Sequence, residues 1–277
     1  GIGDDSTRAQ GGSPVGIKLM RDRRGSRAES IRTWPALRRE EFTGPLGAHA
    51  YIQQCIRIDP GDVETVCACD PAFWDEGLWQ LEHLRQVALE LSGLMVLLLD
   101  DCTKQKCPQM KASDEWVFLC AAHRLPQECC AIDYITHTLE GTTAVLNSNK
   151  WLPTRGIAPP LESEKVFKSI ARRLHRIFAH VYFHHADVFG RFEDQHHLCK
   201  RFLQLVKQYH WIKPHQLIIP ANFHRHTHTS FAAGASGAHG ADASSSRLEH
   251  PAASLYSLFD DPEEHLEIEN GLRGDAV

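Results

Sequence analysis

Two widely separated pairs of soft ligands, Cys102-x4-Cys107 and His180-x4-His185, constrain the fold of this chain more than any other feature. Two thiolates and two imidazoles make a complete tetrahedral set for Zn²⁺. A closed set leaves no position for a catalytic water, so the ion it implies is structural. Such an ion would tie a loop near the middle of the chain to a helix near its end.

Spacing alone does not choose the second histidine. On a regular helix, positions i and i+4 share a face while i+5 is rotated away. His180 with His184 therefore competes with His180 with His185, and the second choice needs a helix end or a bulge between the two. The chain carries 18 histidines, so surface or core histidines without a metal are the plain alternative. The loop position of the cysteines and the helix position of the histidines favour zinc.

Helical periodicity dominates the middle of the chain. Leu78, Leu81, Leu84, Ala88, Leu91, Met95 and Leu98 step by three or four and predict a helix with one apolar face. Asp75 and Glu76 mark its N-terminus, and Asp100-Asp101 its end. Trp116 to Cys120 reads as one strand of a small hairpin, with a turn near His123–Gln127. A helix is expected over 133–146, ended by Asn147-Ser148-Asn149, and a proline-bearing loop over 151–160. A long helix is predicted over 163–189, capped at Ser163, with Val166, Ile170, Leu174, Ile177, Val181 and Val188 on its apolar face. Another is predicted over 194–209, ended by Lys213-Pro214. The expected fold class is all-α, a helical bundle with a small β-hairpin and one structural zinc site.

Composition sets the domain limits. Residues 1–33 are rich in Gly, Arg, Ser and Asp, and residues 221–277 in Ala, Ser, Gly and His. Neither stretch can bury enough apolar surface to offset its ordering entropy, so both are expected to be disordered extensions of a domain over 34–220. The net charge of −5 argues against bulk nucleic-acid binding. The longest apolar run, Leu94 to Leu99, is far too short to span a bilayer, so no integral membrane segment is expected. No apolar segment of the secretory kind follows the N-terminal arginines, and nine irregularly spaced cysteines read as reduced thiols, which points to the cytoplasm. Cys67-x-Cys69 and the vicinal Cys129-Cys130 are poor metal spacings and read as ordinary thiols. The stretch His224-Arg225-His226-Thr227-His228 could chelate metal adventitiously.

A second feature carries chemistry. Arg172, Arg173 and Arg176 precede His180 on the same predicted helix, and Arg172 and Arg176 lie one turn apart. Guanidinium forks bind phosphates and carboxylates bidentately. The bland reading is a solvated helix face paired with local acids. Glu76 and Glu82 on the first long helix are candidates for contact with a basic partner, with plain solvent exposure as the alternative. The chain contains no P-loop, G-x-G-x-x-G, H-E-x-x-H or G-x-S-x-G, so no catalytic activity is expected.

Several stretches together resemble the Mob family, and its phocein-like branch more than the branch that activates NDR/LATS kinases. They are Tyr51-Ile52-Gln53-Gln54, Glu82-His83-Leu84-Arg85-Gln86, Phe118 to His123, Ala131-Ile132-Asp133-Tyr134, Leu146 to Lys150 and Arg176 to His185. The resemblance runs in order from about Trp34 to Pro220. It implies a zinc ligand set of Cys102, Cys107, His180 and His185, with a non-ideal turn before His185. It also places the family's phosphopeptide-binding residues on Arg172, Arg173 and Arg176. His175 departs from it, standing where an aromatic residue is usual, and the segment from Arg155 to Leu161 looks divergent.

The function that the resemblance implies is a zinc-stabilised adaptor in a kinase/phosphatase signalling complex. Its partners would be a striatin-like scaffold, a protein phosphatase and Ste20-type kinases. Association with Golgi or endomembranes would follow through those partners. Direct coactivation of an NDR-type kinase is the alternative within the family. A zinc hydrolase would need an open coordination position and a nearby base, which four protein ligands do not leave.

Overall fold

The computed structural model describes residues 36–113, 116–149, 152–220 and 223 of the 277. The extensions expected over 1–33 and 221–277 lie outside the described residues, Phe223 excepted, and so do Trp34 and the His224–His228 stretch. The chain divides into two units after Leu37. The first contributes only Ala36 and Leu37 to the described residues, and the second carries every element below.

Seven α-helices are present among the described residues: α1 (Gly47–Ile58), α2 (Val63–Cys67), α3 (Glu76–Leu98), α4 (Ala131–Asn147), α5 (Ser163–His184), α6 (Ala186–His196) and α7 (Leu198–Tyr209). Short 3₁₀ turns at Arg39–Glu41 and Pro214–Gln216 flank them. α3 is the hub and packs against α1, α4, α5, α6 and α7. Its first turn is capped as its sequence predicts, with the Asp75 carboxylate accepting the Leu78 N–H at 2.9 Å.

α3 has more than the single apolar face that its periodicity suggests. Leu81, Leu84, Val87, Leu91, Leu94 and Leu98 join the main core, while Trp79 stacks on Trp74 and packs near Tyr51 in a smaller cluster beside α1. Each such side chain contributes about 1.5–3 kcal/mol when fully buried. The polar residues Glu82, His83, Arg85 and Gln86 of the same helix are buried as well. The Arg85 guanidinium donates to the Leu146 carbonyl at 2.8 Å and so satisfies the C-terminal end of α4. At the far end, the fully buried Arg201 of α7 reaches both Glu90 oxygens of α3 at 2.7 Å.

The segment over 163–209 departs from its predicted form. Two helices were expected and three are present. His185 leaves the helical region (φ −136°, ψ 49°) and separates α5 from α6. His197 takes a left-handed conformation (φ 47°) and separates α6 from α7. The second break is held by Glu193, whose buried carboxylate accepts the Cys199 and Lys200 N–H groups at 2.8 and 2.9 Å and caps α7. Ser163 is the first residue of α5 rather than its cap, and its buried hydroxyl finds no hydrogen-bond partner among the described residues. α7 ends at Tyr209, with left-handed His210 after it, before the predicted Lys213-Pro214 stop.

The expected hairpin is reduced to two isolated antiparallel bridges among the described residues, Lys111 with Val117 and Cys120 with Gln127. The pairing cannot extend because Met110 intercepts it. Phe118 donates its N–H to the Met110 carbonyl at 2.8 Å, and Met110 donates its own to the Cys129 carbonyl at 3.1 Å. Phe118 and Cys129 therefore never pair with each other.

Candidate metal centre

The loop after α3 begins with two tight turns. Cys102 donates its N–H to the Leu98 carbonyl at 2.7 Å, and Cys107 donates to Thr103 at 2.8 Å. The Cys107 carbonyl accepts the Ala131 N–H at 3.0 Å, which fixes the loop to the start of α4. Both thiols point inward and are buried.

Opposite them stand His180 and His185. The end of α5 at His184 resolves the spacing problem in physical terms. Once the helix stops, His185 swings back toward the face that carries His180, and His184 is left exposed. One donor atom from each of Cys102, Cys107, His180 and His185 lies within 4.8 Å of every other. Cys102 Sγ is 3.5 Å from His180 Nε2, and Cys107 Sγ is 3.5 Å from His185 Nε2. A tetrahedral zinc ion with ordinary bond lengths places its sulfur and nitrogen ligands about 3.6 Å apart. The donor set and its spacing fit that ion.

The outer contacts prepare the same geometry. His180 Nδ1 donates to the Lys111 carbonyl and His185 Nδ1 to the Asp101 carboxylate, each at 2.7 Å. Both Nε2 atoms are thereby left as acceptors facing the thiols. Burial lowers His180 to about 4, which keeps its ring neutral as a metal ligand must be. Burial and the facing Cys107 thiol push Cys102 up, and a dication is the group that reverses that effect. Lys106 and His185 together hold Asp101 below the usual carboxylate range. Asp101 was expected only to end a helix. Its position immediately before Cys102 is the one sequence signal of its second task.

The sequence profile of the Mob1/phocein family matches residues 55–220. The chain belongs to the Mob1/phocein family. MOB kinase activator-like 4 of Drosophila melanogaster is 44% identical over 204 residues, covering 74% of this chain and 91% of that protein. MOB-like protein phocein of Caenorhabditis elegans is 44% identical over 202 residues, covering 73% and 90%. Maintenance of ploidy protein mob1 of Schizosaccharomyces pombe is 31% identical over 140 residues, covering 49% and 67%. These similarities make the chain a phocein-like member of the Mob1/phocein family.

In this Mob1/phocein chain, Arg172, Arg173 and Arg176 lie half-buried on α5, and Arg176 is one turn before His180. The Arg176 guanidinium lies 5.2 Å from the centre of the Phe118 ring and donates to the Tyr134 hydroxyl at 3.2 Å. Glu76 is exposed at the start of α3. Glu82 is fully buried, contrary to its reading as a surface for a basic partner. Its carboxylate pairs with Arg85, with His49 Nδ1 at 3.1 Å and with Arg155 Nη1 at 3.8 Å. Burial works to raise its pKa, but His49, Arg85 and Arg155 outweigh that and hold it below the usual range. Glu82 is an internal strut between α1, α3 and the loop before α5.

Among the described residues, no helix is long and apolar enough to cross a membrane.

Proposed function

We propose that this chain is a non-catalytic adaptor for protein complexes that regulate kinases. A zinc ion held by Cys102, Cys107, His180 and His185 would join the mid-chain loop to the α5–α6 junction. All four ligands come from the protein, so the ion would supply four bonds to the fold and no site for substrate. The observation that carries the reading is the Arg172, Arg173 and Arg176 cluster on α5, beside His180 and braced at Arg176 by Phe118 and Tyr134. A helix end anchored by metal gives such a cluster a fixed position, which recognition of a phosphorylated segment requires.

Two further observations support a binding role. The outer face of α3 leaves Leu89, Val96 and Leu97 more than half exposed, an apolar strip of the kind found at protein interfaces. The two relatives at 44% identity are aligned over nine-tenths or more of their own length. By similarity to the phocein-like branch, the partners are a striatin-like scaffold, a protein phosphatase and Ste20-type kinases. The setting is the cytoplasm, with Golgi or endomembranes reached through those partners.

Affinity capture from native lysate tests the proposal. Wild type is compared with Arg172→Ala/Arg173→Ala/Arg176→Ala, with zinc content measured on both. Striatin-like, phosphatase and Ste20-type kinase subunits are expected with wild type and should be reduced with the zinc-loaded triple variant. Capture of an NDR-type kinase in their place would overturn the branch of the proposal in favour of direct coactivation. Unchanged partners in the variant would assign the arginines to a solvated face.

A further inference from the structure

α5 carries its lysines and arginines in one stripe. Lys165, Lys168, Arg172 and Arg176 recur at intervals of three or four residues, and Arg173 stands beside them. At the usual helical rise the stripe is about 16 Å long. Lys165 is exposed, and Lys168 and the three arginines are half-buried. Glu164, just before the stripe, is the one acidic residue of this helix, and it pairs with Lys168 at 2.6 Å. A pair at the surface is weak and does not close the stripe to other anions.

The chain supplies a matching anion. Asp260, Asp261, Glu263, Glu264, Glu267 and Glu269 follow one another with no lysine or arginine among them. Asp260, Glu264 and Glu267 repeat the three-to-four-residue interval of the stripe. We propose that this acidic segment is an intramolecular ligand of the α5 stripe, where it competes with the phosphorylated segment of a partner. For the identity of that competitor the proposal rests on the adaptor reading above.

Phe223 shows where the segment departs. Its buried ring packs against Tyr182 of α5 and Phe189 of α6, with ring centres 6.3 and 5.7 Å apart. Tyr182 follows Arg176 on the same helix, about 9 Å along the axis, and Arg172 is about 15 Å away. The 36 residues from His224 to Phe259, rich in Gly, Ser and Ala, separate that point from the first carboxylate. Linkers of that composition and length span about 30–36 Å on average, so the carboxylates reach the whole stripe. A tether of this kind gives an effective concentration on the order of 1 mM, at which weak charge pairing suffices.

The arrangement sets a threshold. A carboxylate carries one negative charge, whereas a phosphate monoester carries close to two and offers three acceptor oxygens. The segment therefore excludes unphosphorylated acidic partners and yields to a phosphorylated one.

Carbodiimide cross-linking of the full chain tests the contact directly. In the monomer band, wild type should give links from Lys165 or Lys168 to carboxylates within 260–269. Arg172→Ala/Arg173→Ala/Arg176→Ala, with helical circular dichroism retained, should lose most of them. Absence of such links in wild type, or links unchanged in the folded triple variant, would overturn the proposal. Competition is read with a fluorescein-labelled phosphothreonine peptide and a full chain in which Asp260 and Asp261 become Asn and Glu263, Glu264, Glu267 and Glu269 become Gln. This variant should bind the peptide about 3- to 10-fold more tightly than wild type at low salt, and the difference should vanish in about 0.5 M salt. None of the six replaced residues lies in a described helix, so this comparison decides the matter if the arginine variant does not fold. Equal affinity for the peptide at low salt would overturn the competition. A peptide bound by neither protein, with the links present and dependent on the arginines, would refute the phosphopeptide reading and leave the acidic segment as the ligand of the stripe.

Discussion

Asp101 accepts the Nδ1–H of His185 at 2.7 Å, although 84 residues separate the two. Asp101 directly precedes Cys102, so one loop supplies a thiol and also orients an imidazole from the far end of α5. The other Asp101 oxygen accepts from Lys106 Nζ at 2.6 Å within the same loop. The carboxylate thus fixes the tautomer of His185 and locks the loop that carries both cysteines.

Removing that acceptor should weaken metal binding without unfolding the bundle. Asp101→Ala is expected to lower zinc affinity by about 10- to 100-fold, the usual range for an outer-sphere carboxylate. Asp101→Asn, which keeps an oxygen acceptor, should lose less. Competition against a chromophoric chelator reads both values, and unchanged affinity in the alanine variant would show that the contact does not support the ligand.

His175 should make the fold acid-sensitive. It is buried on α5, its Nε2 has no hydrogen-bond partner among the described residues, and burial together with Arg176 lowers it to about 4. In the unfolded chain the same imidazole titrates near 6.5. Between those values the unfolded chain binds a proton that the folded chain refuses. Stability therefore falls as pH drops from about 6.5 toward 4, by up to about 3 kcal/mol from this residue. His175→Phe restores the aromatic residue that Mob resemblance leads one to expect there, and it should remove that share. Urea unfolding at pH 7 and pH 5 measures the difference, with His83 and the set of Cys102, Cys107, His180 and His185 common to the two proteins. Equal losses on acidification would contradict the assignment.

Glu76 and Glu82 should separate cleanly. Glu82→Gln removes the shared partner of Arg85, His49 and Arg155, and it is expected to destabilise the fold by about 3 kcal/mol. Glu76→Lys lies on the surface at the start of α3. It should leave the urea midpoint nearly unchanged while reducing capture of any partner that presents a basic segment. A destabilised Glu76→Lys, or a fully stable Glu82→Gln, would reverse these roles.

Legibility in the sequence followed physical type. α3 was evident because large aliphatic residues repeat at helical spacing, and its cap because Asp75 directly precedes it. α1 was not, since its buried residues Gly47, Ala48 and Gln54 carry little apolar signal beside Tyr51 and Ile52. The break at His185 was expected only through the family resemblance, and the one at His197 was hidden because it is neither glycine nor proline and depends on the buried Glu193. Glu82 read as a surface charge because its partners His49 and Arg155 lie far along the chain. The cysteine pair of the metal centre was visible from spacing. The choice between His184 and His185 needed either family resemblance or the observed end of α5.

The most direct test of this account is thermal unfolding of the full chain with and without its first ligand pair. Cys102→Ser/Cys107→Ser should lose one zinc ion and its cooperative transition together, because the loop, α4 and the α5–α6 junction are joined through that site. Cooperative unfolding at the wild-type temperature, with zinc content unchanged, would contradict a structural metal at Cys102, Cys107, His180 and His185.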